Sequence, residues 1–526
     1  VILPTELAMT SLPPLTLIAP LVLLAAAAAF LARPGRRPGG LPALADAAAL
    51  AALLLSAAGL GQLVLWGPAH PKALGGLLSV RLDAVAATMA ILVAFVGWVV
   101  VRYARRYLDG EAREGAFHGL TLAAVAAVLV LVQAGSLPVM VAAFLAVGIA
   151  LHRLLLFYPE RPEARRAAAK FARVWGAGDA ALAAAAVLLW QAFGTADIAA
   201  LAQAAEAGLP VSAHAAVALL VLAAALKTAA FPVHGWLTEV MEAPTPVSAL
   251  LHAGIINSGG VLLITLAPLV QASPGAMAAL VMLGGLTALF GAVVMLTQSA
   301  VKTALAWSTV AQMGFMLLQC GLGLWALALL HIVAHSLYKA HAFLGSGGAV
   351  RAVNALRRPG PVAVPGPGAV SRAFALALAL YAAVALAFTL VAGPKSVQAL
   401  ALGAILIFGV SYLIAQGLAD AAPRALTRRT VAASLAAALA YFGFHVLAQT
   451  LWGPHTPAPP VPGPLEWALV VLAVLSFGIL AVAQALFPLW AHHPAAAGLR
   501  VHLANGLYVN AALDRLIGGY RAASPN

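Results

Sequence analysis

The chain has 526 residues, of which 63% are hydrophobic and only 9% charged, against about 25% charge in an ordinary soluble domain. Twenty-nine basic and 16 acidic side chains cannot cover the surface of a water-soluble fold of this length, and the mean hydropathy of +1.00 assigns the chain to the all-α, polytopic membrane class. The net charge of +13 sits in short clusters between apolar runs, where basic residues set membrane topology, so no nucleic-acid partner is expected and the lipid bilayer is; the single cysteine, Cys320, excludes internal disulfides and cysteine-ligated zinc or iron–sulfur centres.

About twenty apolar residues cross a hydrocarbon core roughly 30 Å thick. By that measure about fifteen spans follow one another, near 14–32, 42–66, 82–103, 117–134, 137–157, 175–195, 212–230, 246–270, 276–297, 303–320, 324–349, 373–392, 397–419, 430–452 and 465–490. No basic segment precedes the first, so it is expected to remain as a helix. Strong basic clusters follow odd-numbered spans: Arg33, Arg36 and Arg37; Arg102, Arg105 and Arg106; Arg161, Arg165, Arg166, Lys170 and Arg173; Arg351, Arg357 and Arg358; Arg424, Arg428 and Arg429. The even loops are nearly bare. Positive charge is retained in the cytoplasm, which predicts an N-terminus outside and a C-terminus inside a bacterial cytoplasmic membrane. Residues 196–207 are expected to form a short surface helix and 493–526 an interfacial one. The chain divides into N-terminal spans (1–116), a polar core (117–350), a proline-rich cytoplasmic linker (351–372), a bland rear bundle (373–490) and the interfacial tail (491–526).

Ionisable groups inside a membrane cost a few kcal/mol each on insertion scales, and so mark function. Lys227 stands before Pro232 and His234 in LKTAAFPVHGW; the proline breaks the helix and frees carbonyls beside the amine. His252 lies in the next span, after Glu239, Glu242 and the rigid Pro244-Thr245-Pro246. Lys302 opens the tenth span. His331, His335 and Lys339 recur at i, i+4 and i+8, on one helix face. Two histidines at that spacing could begin a zinc site, but no acidic or thiol ligand accompanies them, and a proton relay is the better reading. Asp179 begins the sixth span just after Lys170 and Arg173, either as a structural lock on those cations or as a gate to the path. His152 and Arg153 close the fifth span without a clear assignment. No phosphate-binding loop, catalytic carboxylate pair or nucleophile triad is present, so the chain reads as a conductor rather than an enzyme, with no cofactor of its own.

LKTAAFPVHGWLTEVMEAPTPVSALLHAG, LGGLTALFGAVVMLTQSAVKTALAWSTVAQMGFM and HIVAHSLYKAHAFL resemble, in order and spacing, three segments of the antiporter-like proton-channel subunits of respiratory complex I and of Mrp-type cation/proton antiporters. The resemblance covers roughly residues 80–350. It implies that Lys227 is the central channel lysine, His252 the next relay group, Lys302, His335 and Lys339 later members of the polar axis, and Asp179 the aspartate of the family's GD pair. LHRLLLFYPERPEARRAAAKF, HAGIINSGGVLLI and the closing HLANGLYVNAALDRLIGGYR are similar to one branch, the DabB membrane subunits of inorganic-carbon accumulation complexes. That branch implies a DabA-like soluble zinc partner on the cytoplasmic face, driven by H⁺ or Na⁺ flow to hydrate carbon dioxide. The alternative is a proton-translocating subunit of a complex I-like or Mrp-type assembly. Two departures bear on the choice. The fifth-span glutamate of complex I subunits is missing from FLAVGIA, where Leu145 stands, and the rear spans offer only Lys395, read as an outer-loop residue, as a second channel lysine.

Overall fold

The structure, a computed structural model, describes residues 14–348, 366–417, 424–490 and 492–516. Over its described residues, each of the fifteen apolar runs coincides with a helix or a broken series of helices. The front of the chain forms α1 (Leu15–Leu31), α2 (Leu41–Trp66), α3 (Ala84–Tyr107), α4 (Glu114–Val132), α5 (Leu137–Leu155) and α6 (Pro162–Phe193). A surface helix α7 (Ile198–Glu206) leads to α8 (Val211–Lys227), the short α9 (Gly235–Thr238), then α10 (Thr245–Ala253), α11 (Ser258–Thr265) and α12 (Ala267–Gln271). Next come α13 (Pro274–Met295), α14 (Val301–Gly321) and α15 (Trp325–Gly345). The rear bundle is α16 (Pro367–Ala392), α17 (Val397–Gly417), α18 (Arg424–Trp452) and α19 (Pro464–Ala485), followed by α20 (Phe487–Trp490), α21 (Pro494–Ala504) and α22 (Val509–Leu516).

Among the described residues, eleven helices are long and apolar enough to cross a membrane. Leu15–Leu31, Val211–Lys227 and Val397–Gly409 are apolar but shorter. Helix α14 has the length, but its Ser, Thr and Gln residues lower its hydropathy. The basic cluster Arg351, Arg357 and Arg358 and most of the expected linker lie outside the described residues. The linker's last residues, from Pro367, are already helical: Pro367 opens α16, where a missing N–H breaks no helical bond.

Long contacts sort the loops into two ends. At one, the α1–α2 loop meets α4 through Gly115 N–H to Gly35 C=O and Arg37 N–H to Glu114. There Arg113 also donates to Leu156 C=O at 2.8 Å, and Arg161 pairs with Glu242 at 3.1 Å. At the other end lies a feature the sequence does not announce, a small antiparallel hairpin of β1 (Lys72–Ala73) and β2 (Leu78–Ser79). It is tied to α7 by Lys72–Asp197 at 3.1 Å and Ser79 Oγ–Asp197 at 3.2 Å. The basic loops after the first, third and fifth spans thus share the end opposite the hairpin.

One continuous core runs from Ala19 through Phe343 and on into the rear helices at Leu402, Ala448 and Val470, and a second, smaller one gathers around Tyr381 and Phe442. Helix α6 lies along α8, and α10 and α11 cross α15, which brings the ionisable residues of four separated segments into one layer.

Candidate ion pathway

From Ala215, helix α8 is apolar until its last residue, Lys227, where the backbone turns: Ala229 adopts φ +53° and Phe231–Pro232 is cis. The freed polar groups are satisfied locally. Trp236 Nε1 donates to Leu226 C=O at 3.0 Å, and Phe231 N–H donates to Thr287 Oγ1 at 3.0 Å. Lys227 is fully buried. Its Nζ lies 2.6 Å from Asp179 Oδ1 of α6, 4.1 Å from the centre of the Trp175 ring and 4.5 Å from that of Phe144, so one carboxylate and two π-faces replace its hydration. Gly148 makes room for this, since a methyl group there would stand 2.6 Å from the Trp175 ring.

The partner of Asp179 is therefore Lys227 rather than Lys170. On the expected fifth-span position, Leu145 is half exposed on the outside of the bundle, and Phe144 beside it faces the amine. Lys170, about two and a half turns before Asp179 on α6, instead meets Glu239 at 2.7 Å and Asp514 at 2.7 Å. Asn510 accepts from Lys170 at 2.7 Å and donates to Glu239, and Arg166 reaches Asp514 at 3.1 Å. Two salt bridges of opposite polarity thus join α6 to the broken segment, and α22 closes over one of them.

A second break, not foreseen, follows α10: Gly254 (φ −113°, ψ −77°) leads into the tight turn Ile255–Asn257. It places His252 at a helix end, stacked on Phe343 with ring centres 4.4 Å apart and with Nδ1 3.1 Å from Thr309 Oγ1 of α14. Asn257 Nδ2 donates to Ser336 of α15 at 2.9 Å. On α15, His331 Nδ1 meets Gln319 Oε1 at 2.8 Å, the His331 and His335 ring centres are 6.1 Å apart, and Lys339 donates to Leu305 C=O at 3.0 Å and to Ser308. Unlike Lys227, Lys339 is held by neutral oxygens.

His252 Nε2, Asn257 Oδ1, Ser258 Oγ, His331 Nε2 and both His335 nitrogens are buried without a protein partner. Such groups in folded proteins are served by internal water, and a cavity of about 20 Å³ beside Asn257 and Ser336 has room for one molecule. Lys302 lies half-buried in the first turn of α14. His234 is buried against Trp307 and Phe290. His152 Nδ1 lies 3.2 Å from Ala168 C=O, while Arg153 is exposed and Glu242 pairs with Arg161 at the surface. Lys395 lies in the loop between α16 and α17. At the hairpin end a polar cavity of about 170 Å³ is lined by His70, Arg81, Asp83, Asp197, Thr265 and His455. Burial raises the Asp197 carboxyl, but the Ala200 N–H, Lys72 and Ser79 outweigh it and hold the group below the usual carboxylate range.

Ser308, Thr309, Gln319, Ser336 and Asn510 escaped the sequence reading, as did the ion pairs of Asp514 within the interfacial tail. Their signal is weak: adjacent hydroxyls in an apolar span, and an amide and a carboxylate at i, i+4 on a tail helix.

Comparison with known proteins assigns the class. The family model described as "NADH:quinone oxidoreductase/Mrp antiporter, TM" matches residues 134–360, and that of the complex I chain 5 N-terminus matches 76–118. The fold is shared with a chain of the Mrp complex from Dietzia sp. (TM-score 0.59, 22% identity, 96% of this chain and 60% of that one). It is shared also with a chain of respiratory complex I from Thermus thermophilus (TM-score 0.54, 23% identity, 94% and 99%). This is an antiporter-like, multi-pass membrane subunit. Within that class, the chain is 36% identical over 474 residues to the probable inorganic carbon transporter subunit DabB2 of Halothiobacillus neapolitanus, covering 86% of this chain and 83% of the relative. It is 45% identical over 267 residues to the DabB of Hydrogenovibrio crunogenus, covering 50% of this chain and 51% of the relative. The chain belongs to the DabB family of inorganic carbon transporter subunits.

Proposed function

We propose that this chain is the ion-conducting subunit of a two-component inorganic-carbon accumulation complex, passing H⁺ or Na⁺ inward through Lys227, His252, Lys302, His331, His335 and Lys339. The observation that carries the reading is the Lys227–Asp179 pair at a helix break, continued by buried, partnerless polar atoms on α10, α11 and α15. A scaffold gains nothing from burying such groups unpaired. The hairpin end faces outside, where the His70–His455 cavity admits the ion. The basic end faces the cytoplasm of a bacterial cell whose inner membrane holds the chain, with the N-terminus outside and the C-terminus inside.

A soluble zinc subunit resembling a carbonic anhydrase docks on that basic end and hydrates carbon dioxide; the zinc belongs to it and this chain performs no covalent chemistry. Each unit charge crossing 100 mV releases about 2.3 kcal/mol, enough to bias the hydration strongly in one direction. Within the chain, Lys227 alternates between its bond to Asp179 and release of its proton toward His252, with Glu239 and Lys170 balancing charge at the inner mouth, His234 and Glu242 lining it, and His152 and Arg153 outside the path.

The test is Lys227→Ala in cells that depend on the complex. Carbon uptake is lost while the chain and a zinc-bearing partner still co-purify. Normal uptake at wild-type protein levels, or co-purification with quinone-reducing subunits instead, overturns the reading.

A further inference from the structure

The carbonyl of Leu305 on α14 is over-subscribed. Ser308 Oγ lies 3.1 Å from it, Thr309 Oγ1 3.0 Å and Lys339 Nζ 3.0 Å. A carbonyl oxygen has two lone pairs, and in an α-helix one is engaged by the N–H four residues on. Three side-chain donors therefore compete for one remaining position. One of them, Thr309, also bonds His252 Nδ1 at 3.1 Å.

We infer that Leu305 C=O and the Thr309 hydroxyl form a switch through which the charge on Lys339 selects the tautomer of His252. Two arrangements satisfy the donors. In the first, Thr309 donates to Leu305 C=O and accepts from His252 Nδ1–H, leaving Nε2 bare. In the second, the Lys339 ammonium takes the carbonyl, a charged donor being roughly twice as strong as a hydroxyl. Thr309 then turns and donates to Nδ1, which must be bare, so the imidazole proton stands on Nε2. Between the two, one proton leaves Nδ1 and one arrives at Nε2, while Lys339 Nζ gains from water the proton that charges it. Ser308, which accepts from Lys339, keeps the amine within reach of the carbonyl, so Ser308 and Thr309 are positioning residues. The other groups facing His252 are Lys302 of α14 and Lys339 and His335 of α15, with the Phe343 ring on its face; none of them contacts Nδ1.

This inference rests on the proposed conduction only in giving it a means of coupling two of its groups, His252 and Lys339, and its test does not need conduction. The full chain, ¹⁵N-labelled at histidine, is studied in bilayers by solid-state NMR, with His252 assigned from the signals that His252→Gln removes. The wild type shifts from the Nδ1–H to the Nε2–H form of His252 as falling pH charges Lys339. Thr309→Ser and Lys302→Met keep the shift; Thr309→Val and Lys339→Met lose it, the latter holding Nδ1–H wherever the imidazole is neutral. A wild type without the shift, or a shift that survives in Lys339→Met, overturns the switch. A shift of the expected kind in a chain that carries no ion flux leaves the switch standing and removes the conduction reading.

Discussion

Asp179 and Lys227, 48 residues apart and on different helices, meet at 2.6 Å inside the bundle. The same two segments carry a second pair of reversed sign, Lys170 with Glu239 at 2.7 Å. Charge is thus balanced at two depths along the contact between α6 and the broken segment, and a proton moved at one pair alters the field at the other through a medium that screens poorly.

Removing one partner of a buried pair leaves an uncompensated charge, at about 3–5 kcal/mol. Asp179→Leu should therefore lower the thermal unfolding temperature in detergent. Lys227→Met together with Asp179→Leu should recover most of that loss without restoring flux. An Asp179→Leu protein as stable as wild type would show that the pair is not held as a buried ion pair.

The C-terminal helix α22 is fastened by Asn510 and Asp514 to Lys170, Glu239 and Arg166. Asn510→Ala with Asp514→Ala should raise amide exchange across 494–516 at least tenfold and leave α8 protected. Unchanged exchange in the tail would mean that apolar contacts alone hold it.

Asp197 ties the β-hairpin to α7 through Lys72 and Ser79. Its folded pKa lies below the ordinary carboxylate value, so its stabilisation is complete above the unfolded value of about 4 and is lost as pH falls through the lower folded value. Exchange protection of the hairpin should hold at neutral pH and fall only below about pH 4. Asp197→Asn should be weaker at neutral pH and flat across that window. A hairpin whose protection changes between pH 6 and 8 would contradict this assignment.

Lys395 sits in a loop beyond the end of α16. Lys395→Ala should leave ion flux within about twofold of wild type, because a lysine in a loop beyond the helix ends has no intramembrane barrier to lower. A loss comparable to that of Lys227→Ala would restore a second path through the rear helices.

Much of the fold was legible because the bilayer imposes a single rule on every span, a run of apolar residues long enough to cross it. The break after Lys227 was legible too, since Pro232 cannot continue a helix. The break at Gly254 was not, because no proline marks it and the polar His252, Asn257 and Ser258 around it do not by themselves end a helix. The hairpin escaped because strands of two residues carry no alternation to detect. The polar axis could be placed on helix faces from the i, i+4, i+8 spacing of His331, His335 and Lys339, but its partners could not. Asp179 stands close to Lys170 along the chain, and only the packing of α6 on α8 turns it toward Lys227. Thr309 and Ser308 read as ordinary hydroxyls in a membrane helix until α10 and α15 bring His252 and Lys339 to the same turn.

The central claim is that ions cross this chain through Lys227. The most direct measurement reconstitutes the purified complex in vesicles holding a pH-sensitive dye, imposes a potential negative inside, and compares wild type with Lys227→Ala at equal protein. The account predicts inward flux in the wild type, dependent on H⁺ or Na⁺, that falls at least a hundredfold in the variant. Equal flux in both proteins, or none in a wild-type complex that still hydrates carbon dioxide, would contradict it.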